Sequence, residues 1–215
     1  MNNDFSIENF QAILFDFDGV LCECMHVKTE AFVQLFEEFD EEIVKKVVNH
    51  HIKHGGISRY KKIEHYYSEF LNEKISEEKL NKIAQKFSDL VVKKVIESEY
   101  VKGAKEFLEK YFKKIDMYVI SGTPEDELKK IVKSRKMEKY FKGVYGSPIT
   151  KPEHINKIID ENNYQNSKVL YIGDSYSDYK AAKTADIPFL GRTIKNTKSY
   201  FPNKINTIKD FNDIL

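Results

Sequence analysis

Cysteine, arginine and long apolar runs are all scarce in this 215-residue chain. Its two cysteines, Cys22 and Cys24, are too close in sequence for an easy disulfide and too few for a zinc site. That usage fits a reduced, cytoplasmic protein. No apolar stretch approaches the length of a membrane span, so no membrane partner is expected. The opening Met1-Asn2-Asn3-Asp4 lacks a basic region followed by a long apolar stretch, which argues against a secretory signal. Neither sign of charge dominates: 35 basic side chains stand against 34 acidic ones, for a formal charge of +1. No basic stripe stands out, so nucleic acid is not an expected partner. Lysine greatly outnumbers arginine, and Arg59, Arg135 and Arg192 draw attention for that reason. Internal repeats, low-complexity tracts and long linkers are missing too, and nothing in the chain sets an oligomeric state.

A chain of this length buries a good core as one domain plus an insertion. After residue 100, strand signals alternate with helical periods, which predicts a parallel α/β sheet. The predicted strands lie at about 12–17, 116–121, 143–146, 168–173 and 187–191, with helices near 103–113, 124–135, 152–162 and 178–185. Thr123-Pro124-Glu125-Asp126 reads as a helix start: a hydroxyl cap, proline at the first position, then acids in the first turn. The span from about 25 to 98 differs. Phe32, Leu35, Phe36 and Phe39 recur at helical spacing, as do Ile43, Val44, Val47 and Val48. Gly55-Gly56 breaks the run, Ser58 can cap a helix carrying Ile63, Tyr67 and Phe70, and Ser76-Glu77-Glu78 starts another. A helical module inserted after the first strand is the expectation.

The most informative stretch is Asp16-Phe17-Asp18-Gly19-Val20, at the end of the apolar run Ala12-Ile13-Leu14-Phe15. Strand alternation puts Asp16 and Asp18 on the same side as the chain leaves the sheet. Two acids in one crevice repel unless a cation or a shared proton relieves them, which points to a hard cation and a reactive carboxylate. Read alone, the pentapeptide also suits a strand ending in an Asp-Gly turn. Three later features change the balance. Val119-Ile120-Ser121-Gly122-Thr123 follows a second apolar run, Lys151-Pro152 opens a third segment, and Leu170-Tyr171-Ile172-Gly173-Asp174-Ser175, with Asp178 four beyond Asp174, ends a fourth.

Together, in this order and over about 180 residues, these motifs resemble the haloacid dehalogenase superfamily, in its phosphoglycolate-phosphatase-like and β-phosphoglucomutase-like branch. The resemblance implies an α/β fold: a Rossmann-like parallel sheet core, residues 1–22 and 99–215, with an inserted α-helical cap, residues 23–98. The cap would close over the crevice at the carboxyl ends of the strands. Asp16 is then the nucleophile, attacking a phosphoryl group to form an aspartyl-phosphate. Asp18 protonates the leaving oxygen and then deprotonates water. Mg²⁺ is held by Asp16, the backbone carbonyl of Asp18, and Asp174. Ser121 and the N–H groups near Gly122 hold phosphoryl oxygens, the helix opening at Thr123 adds its positive end, and Lys151 stabilises the charge. Asp178 could simply cap a helix; the resemblance makes it a group supporting the metal region from behind the ligands, or in some relatives a ligand itself, ranked below Asp174. Read alone, Ser121 also suits a turn and Lys151 a solvated surface.

In the inserted module, Gly55-Gly56-Ile57-Ser58-Arg59 resembles the family's specificity loop, where an arginine meets the far end of the substrate. Arg59 offers a planar fork for a phosphate, carboxylate or polar sugar; a surface arginine near a helix start is the plainer alternative. Lys62 is a weaker candidate on the same helix. His50, His51 and His54 invite a metal reading, but no acid of an HExxH pattern lies between them, so solvated or substrate-facing imidazoles are expected. The chain departs from the family after its first motif: Cys24 stands where relatives carry a hydroxyl, and Glu23 and Lys28 are left for acidic and basic roles at the hinge. The function implied is a Mg²⁺-dependent phosphatase of a small phosphorylated metabolite, a sugar phosphate first, with a β-phosphoglucomutase-like phosphomutase as the alternative. Lys28, where those mutases often use histidine, argues against the second.

Overall fold

The computed structural model describes residues 6–193, 201–202 and 205–215. At its centre is β1 (Ala12–Phe15), four apolar residues, all buried. Ile13 and Phe15 pack into one hydrophobic cluster, Ala12 and Leu14 into another on the opposite face. A strand covered on both faces must be apolar throughout, which is what this run provides.

Four helices then leave the sheet: α1 (Met25–Leu35), α2 (Glu41–Lys53), α3 (Arg59–His65), continued by a π-helical turn over Tyr66–Phe70, and α4 (Glu77–Glu97). Their shared interior is aromatic. Phe32 meets Phe87 at 4.6 Å and Tyr66 at 5.6 Å between ring centroids, and Phe36 meets Tyr66 at 5.5 Å. Ser76 caps α4 by accepting from the Lys79 N–H. The chain then returns to the sheet through α5 (Ala104–Tyr111), β2 (Asp116–Pro124), α6 (Glu125–Ser134), β3 (Gly143–Ser147), α7 (Lys151–Asn162), β4 (Val169–Gly173), α8 (Tyr176–Thr184), β5 (Phe189–Arg192) and β6 (Thr207–Ile208). All pairings are parallel and the strand order is β3-β2-β1-β4-β5-β6. The switch in chain direction falls at β1, so the crevice at its carboxyl end is where an open sheet of this kind takes a ligand.

Two expectations need correcting. Strand β2 runs three residues past its predicted end, because Pro124 pairs with Ser147 of β3. Thr123 therefore belongs to the strand, and Pro124 precedes the first turn of α6. Strand β6 was not expected; two residues carry no alternation to read.

All three arginines hold the helical insertion to the sheet layer or brace the junction between them. Arg135, at the end of α6, donates from Nη1 to the carbonyls of Val95, Ile96 and Ser98 at 2.6–2.9 Å. Those carbonyls close α4 and have no later helical N–H to meet. Arg192 donates to the Gly19 carbonyl at 2.7 Å and pairs with Glu23, bracing the turn between β1 and α1. The third, Arg59, faces the cavity described next.

Candidate active site

Asp16 and Asp18 follow β1 directly, and the backbone between β1 and β4 fixes them: the Asp16 N–H donates to the Ile172 carbonyl at 3.0 Å. Gly19 turns with φ +76°, and a Cβ there would lie 2.2 Å from Asp174 Oδ2. Only glycine lets the first turn pass so close to that carboxylate.

Asp16 is buried. The Lys151 ammonium lies 3.2 Å from its Oδ1, an ion pair not aligned as a hydrogen bond, so that oxygen has no hydrogen-bond partner among the described residues. Oxygen atoms of Asp16, Asp174 and Asp178 fall within 4.8 Å of one another. Burial, reinforced by Asp178 and Asp18 and opposed by Lys151, pushes Asp16 up to about 7. Asp174 is pushed well above the usual carboxylate range by burial and by the charges of Asp16 and Asp178. These shifts record a surplus of negative charge that one ammonium does not relieve. A hard divalent cation with oxygen ligands fits that surplus.

Asp178 is the third acid of the group, but its oxygens are already engaged. Oδ1 accepts from Lys151 Nζ at 2.5 Å and from the Tyr171 hydroxyl at 3.1 Å. Oδ2 accepts from the Ser175 N–H at 3.0 Å and the Ser175 hydroxyl at 2.5 Å. It thus closes a capping box with Ser175 at the start of α8 and also aims Lys151. The helix cap weighed from the sequence is thus present, and the same side chain also contacts Lys151. Lys151 opens α7 behind Thr150, whose capping box with Glu153 fixes the helix start. Held between Asp16 and Asp178, its ammonium titrates above the ordinary lysine range despite burial.

Asp18 sits among donors. Its Oδ2 accepts from Lys28 Nζ at 2.5 Å and from the hydroxyls of Ser121 and Thr123, each at 3.2 Å; its Oδ1 accepts from Cys24 Sγ at 3.1 Å. Burial opposes ionisation, but Lys28, Cys24 and Thr123 outweigh it and hold Asp18 below its ordinary value. Asp18 therefore stands as a carboxylate, the form that takes a proton. Lys28 also donates to the Thr123 hydroxyl at 3.0 Å. Lys28 and Cys24, read from the sequence only as hinge residues, line this part of the site.

The helical insertion closes from above. Ser177 of α8 donates to the Gly55 carbonyl at 2.7 Å. A Cβ on Gly56 would lie 2.4 Å from Ser177 Oγ and 3.0 Å from Lys151 Nζ, and one on Gly122 would lie 2.4 Å from the Gly56 carbonyl oxygen. Gly122 was expected to admit a phosphoryl group; the neighbour it admits in this closed arrangement is the Gly56 backbone. The enclosed cavity has Asp16 and Asp18 on its floor and Phe32, His51, Arg59 and Lys62 in its roof.

Arg59 lines that cavity, but its fork is occupied. It makes a two-point pair with Glu127 of α6, shares Ser88 Oγ at 2.5 Å, and lies 4.5 Å over the Phe87 ring. The pair crosses from the insertion to the sheet layer, and no motif or spacing marks Glu127 as the partner. Lys62 and His51 are buried against each other, Nζ to Nδ1 at 2.9 Å. His50 stacks between His54 and His65 at 4.0 and 4.2 Å. The only cluster of metal-ligating side chains found among the described residues is the aspartate group, so the imidazole stack is not one.

Residues 13–192 match the family model of the haloacid dehalogenase-like hydrolases. The chain belongs to this family. No curated protein matches it. Among solved structures, it is similar to a β-phosphoglucomutase from Clostridium difficile, at 17% identity and TM-score 0.75, covering 96% of this chain and 93% of that one. A predicted phosphoglycolate phosphatase from Haemophilus somnus gives 18% and 0.73, with 96% of each chain covered. The magnesium-bound YfnB of Bacillus subtilis gives 17% and 0.70, covering 95% and 96%. At such identities these likenesses speak to the fold, including the helical cap. Asp16, Asp18, Ser121, Lys151 and Asp174, read from the sequence as core-motif residues, lie in one crevice at the carboxyl ends of β1, β2, β3 and β4.

Proposed function

We propose that this hydrolase is a Mg²⁺-dependent phosphatase acting on a small phosphorylated metabolite, sugar phosphates included, with Asp16 as the phosphoryl acceptor. The observation that carries the reading is Asp16 itself. It is buried, has an oxygen without a hydrogen-bond partner among the described residues, is crowded by Asp174 and Asp178, and is faced by Lys151. An isolated buried carboxylate in that setting takes up a proton; with a cation beside it, it stays ionised and nucleophilic. Asp16, Asp174 and the backbone carbonyl of Asp18 would hold Mg²⁺, whose charge screens the repulsion between two anions.

In the first half-reaction Asp16 attacks phosphorus, the bond from phosphorus to the ester oxygen breaks, and that oxygen leaves as the alcohol with a proton from Asp18 in its acid form, while Lys151 stabilises the charge gathered on the transferring oxygens. Ser121, Thr123 and the N–H groups around Gly122 take phosphoryl oxygens, exchanging for the contacts their hydroxyls now make to Asp18. In the second half-reaction water attacks the phosphorylated Asp16, and Asp18 accepts its proton, the role suited to its carboxylate form. Core residues 1–22 and 99–215 supply this machinery. Cap residues 23–98 exclude bulk water by closing through Gly55-Gly56, and Arg59 clasps the cap shut through Glu127 instead of reading the substrate.

Phosphate release from a panel of phosphorylated metabolites, in Mg²⁺ and in EDTA, tests the proposal. Mg²⁺-dependent release from at least one member supports it; no release from any member by folded protein sinks it. The tight closure of the cap favours a second reading, a phosphomutase that returns the phosphoryl group before water intervenes. A hexose 1-phosphate separates the two: free phosphate marks hydrolysis, an isomerised sugar phosphate marks the mutase.

A further inference from the structure

The roof of the cavity holds two groups that the phosphoryl chemistry does not use. Lys62 of α3 and His51 of α2 are each 3% exposed, and both line the cavity above Asp16. Among the described residues, the hydrogen bonds of Lys62 run only to His51, to Nδ1 at 2.9 Å and to the carbonyl at 3.4 Å. Among the described residues, no carboxylate lies within ion-pair distance of its ammonium. An ammonium only donates, so His51 Nδ1 accepts and Nε2 carries the ring proton. That Nε2 is buried and has no partner among the described residues. The nearby arginine offers no alternative, because Glu127 and Ser88 already occupy Arg59.

A buried cation without a counter-ion beside a buried N–H without an acceptor is a costly arrangement unless an anion completes it. We propose that Lys62 and His51 form a second anion-binding site in the cap, and that the substrate is a compact phosphate ester carrying a carboxylate or a second phosphate at its far end. The assignment rests on the reading of Asp16 as the phosphoryl site. The cavity is small, about 40 Å³, and so favours a compact ligand. Burial, with Lys28 and Lys151 adding and Asp18 and Asp174 opposing, pushes Lys62 down to about 7. Burial and the Lys62 charge push His51 down to about 2, so its ring is neutral. An anion seated between them restores the charged form of Lys62.

Calorimetric binding of three non-hydrolysable phosphonates in the presence of Mg²⁺ tests this without relying on turnover. Ethylphosphonate carries the phosphoryl mimic alone, phosphonoacetate adds a carboxylate, and methylenebisphosphonate adds a second phosphonate. Wild type is expected to bind one of the last two at least about tenfold more tightly than ethylphosphonate, and which one it prefers identifies the far group. Lys62→Met removes that preference and leaves ethylphosphonate affinity within about threefold, while Lys62→Arg, which keeps the charge, retains part of it. His51→Phe, packed on Phe32, provides an independent loss of preference if Lys62→Met does not fold. Ethylphosphonate binding with no preference in wild type, or a preference that survives both Lys62→Met and His51→Phe, overturns the second site and leaves the phosphatase reading standing. Failure of folded wild type to bind any of the three overturns both.

Discussion

On the floor of the cavity, Asp16, Asp18, Asp174 and Asp178 share two ammonium groups, Lys28 and Lys151. In the roof, the balance is reversed: among the described residues Lys62 has no carboxylate within ion-pair distance, while Arg59 is paired with Glu127. A divalent cation answers the first imbalance and an anion the second, so a metal-bound phosphate ester with an acidic tail answers both. The two walls also differ in origin. The floor is built from strand ends and helix starts of one sheet, whose geometry is fixed by the backbone. The roof is built from packed helices α1, α2 and α3, and its charges depend on which neighbours the packing happens to bring.

Substitutions on the two walls are expected to behave differently. The largest effect belongs to the floor: Asp16→Asn lowers kcat/KM by at least about a thousandfold with the fold intact, as measured by phosphate release and circular dichroism. The next belongs to the clasp between the walls. Glu127→Gln leaves Arg59 buried against a neutral amide, lowers unfolding stability by about 3 kcal/mol in denaturant titration, and raises KM as the cap loosens. Asp174→Asn removes a crowded, half-buried carboxylate. It therefore does not destabilise the metal-free protein, yet it abolishes the rise in Tm that Mg²⁺ gives wild type, a rise equivalent to about 2.7 kcal/mol at a hundredfold excess over Kd.

Lys62→Met sharpens the contrast because it removes charge from the roof and is expected to raise Tm by a few degrees. The sign follows from Lys62 titrating at about 7 in the folded protein and near 10.5 when exposed. Below pH 7 both states are protonated and the fold carries the whole cost of the buried charge. Between pH 7 and 10.5 the folded state has shed its proton while the unfolded state keeps it, so wild type gains stability as pH rises and its deficit against Lys62→Met shrinks. Melting curves at pH 6 and pH 9 read this directly. At the small end, Glu78→Ala breaks an exposed pair with Lys82 and changes stability by less than about 0.5 kcal/mol.

The floor was legible in the sequence and most of the roof was not. Asp16, Ser121, Lys151 and Asp174 each lie at the end of an apolar run or the start of a helix, so local pattern and spacing bring them to one edge of the sheet. Arg59 was visible as a residue, but its partner Glu127 lies 68 positions away on another layer. Lys62 and His51 are only 11 apart, yet they meet across two helices, and no periodicity marks the contact. Thr123 was misread as a helix cap because its neighbours Pro124 and Glu125 carry the local signature, while the pairing of Pro124 with Ser147 is a long-range event that prevails over it.

The central claim is that Asp16 takes the phosphoryl group. The direct measurement is mass spectrometry of acid-quenched protein, mixed for a fraction of a turnover with Mg²⁺ and a phosphate ester that it hydrolyses. The expected result is a phosphoryl adduct on the peptide bearing Asp16, absent in EDTA and absent in Asp16→Asn. Turnover that leaves that peptide unmodified and survives Asp16→Asn would contradict the account.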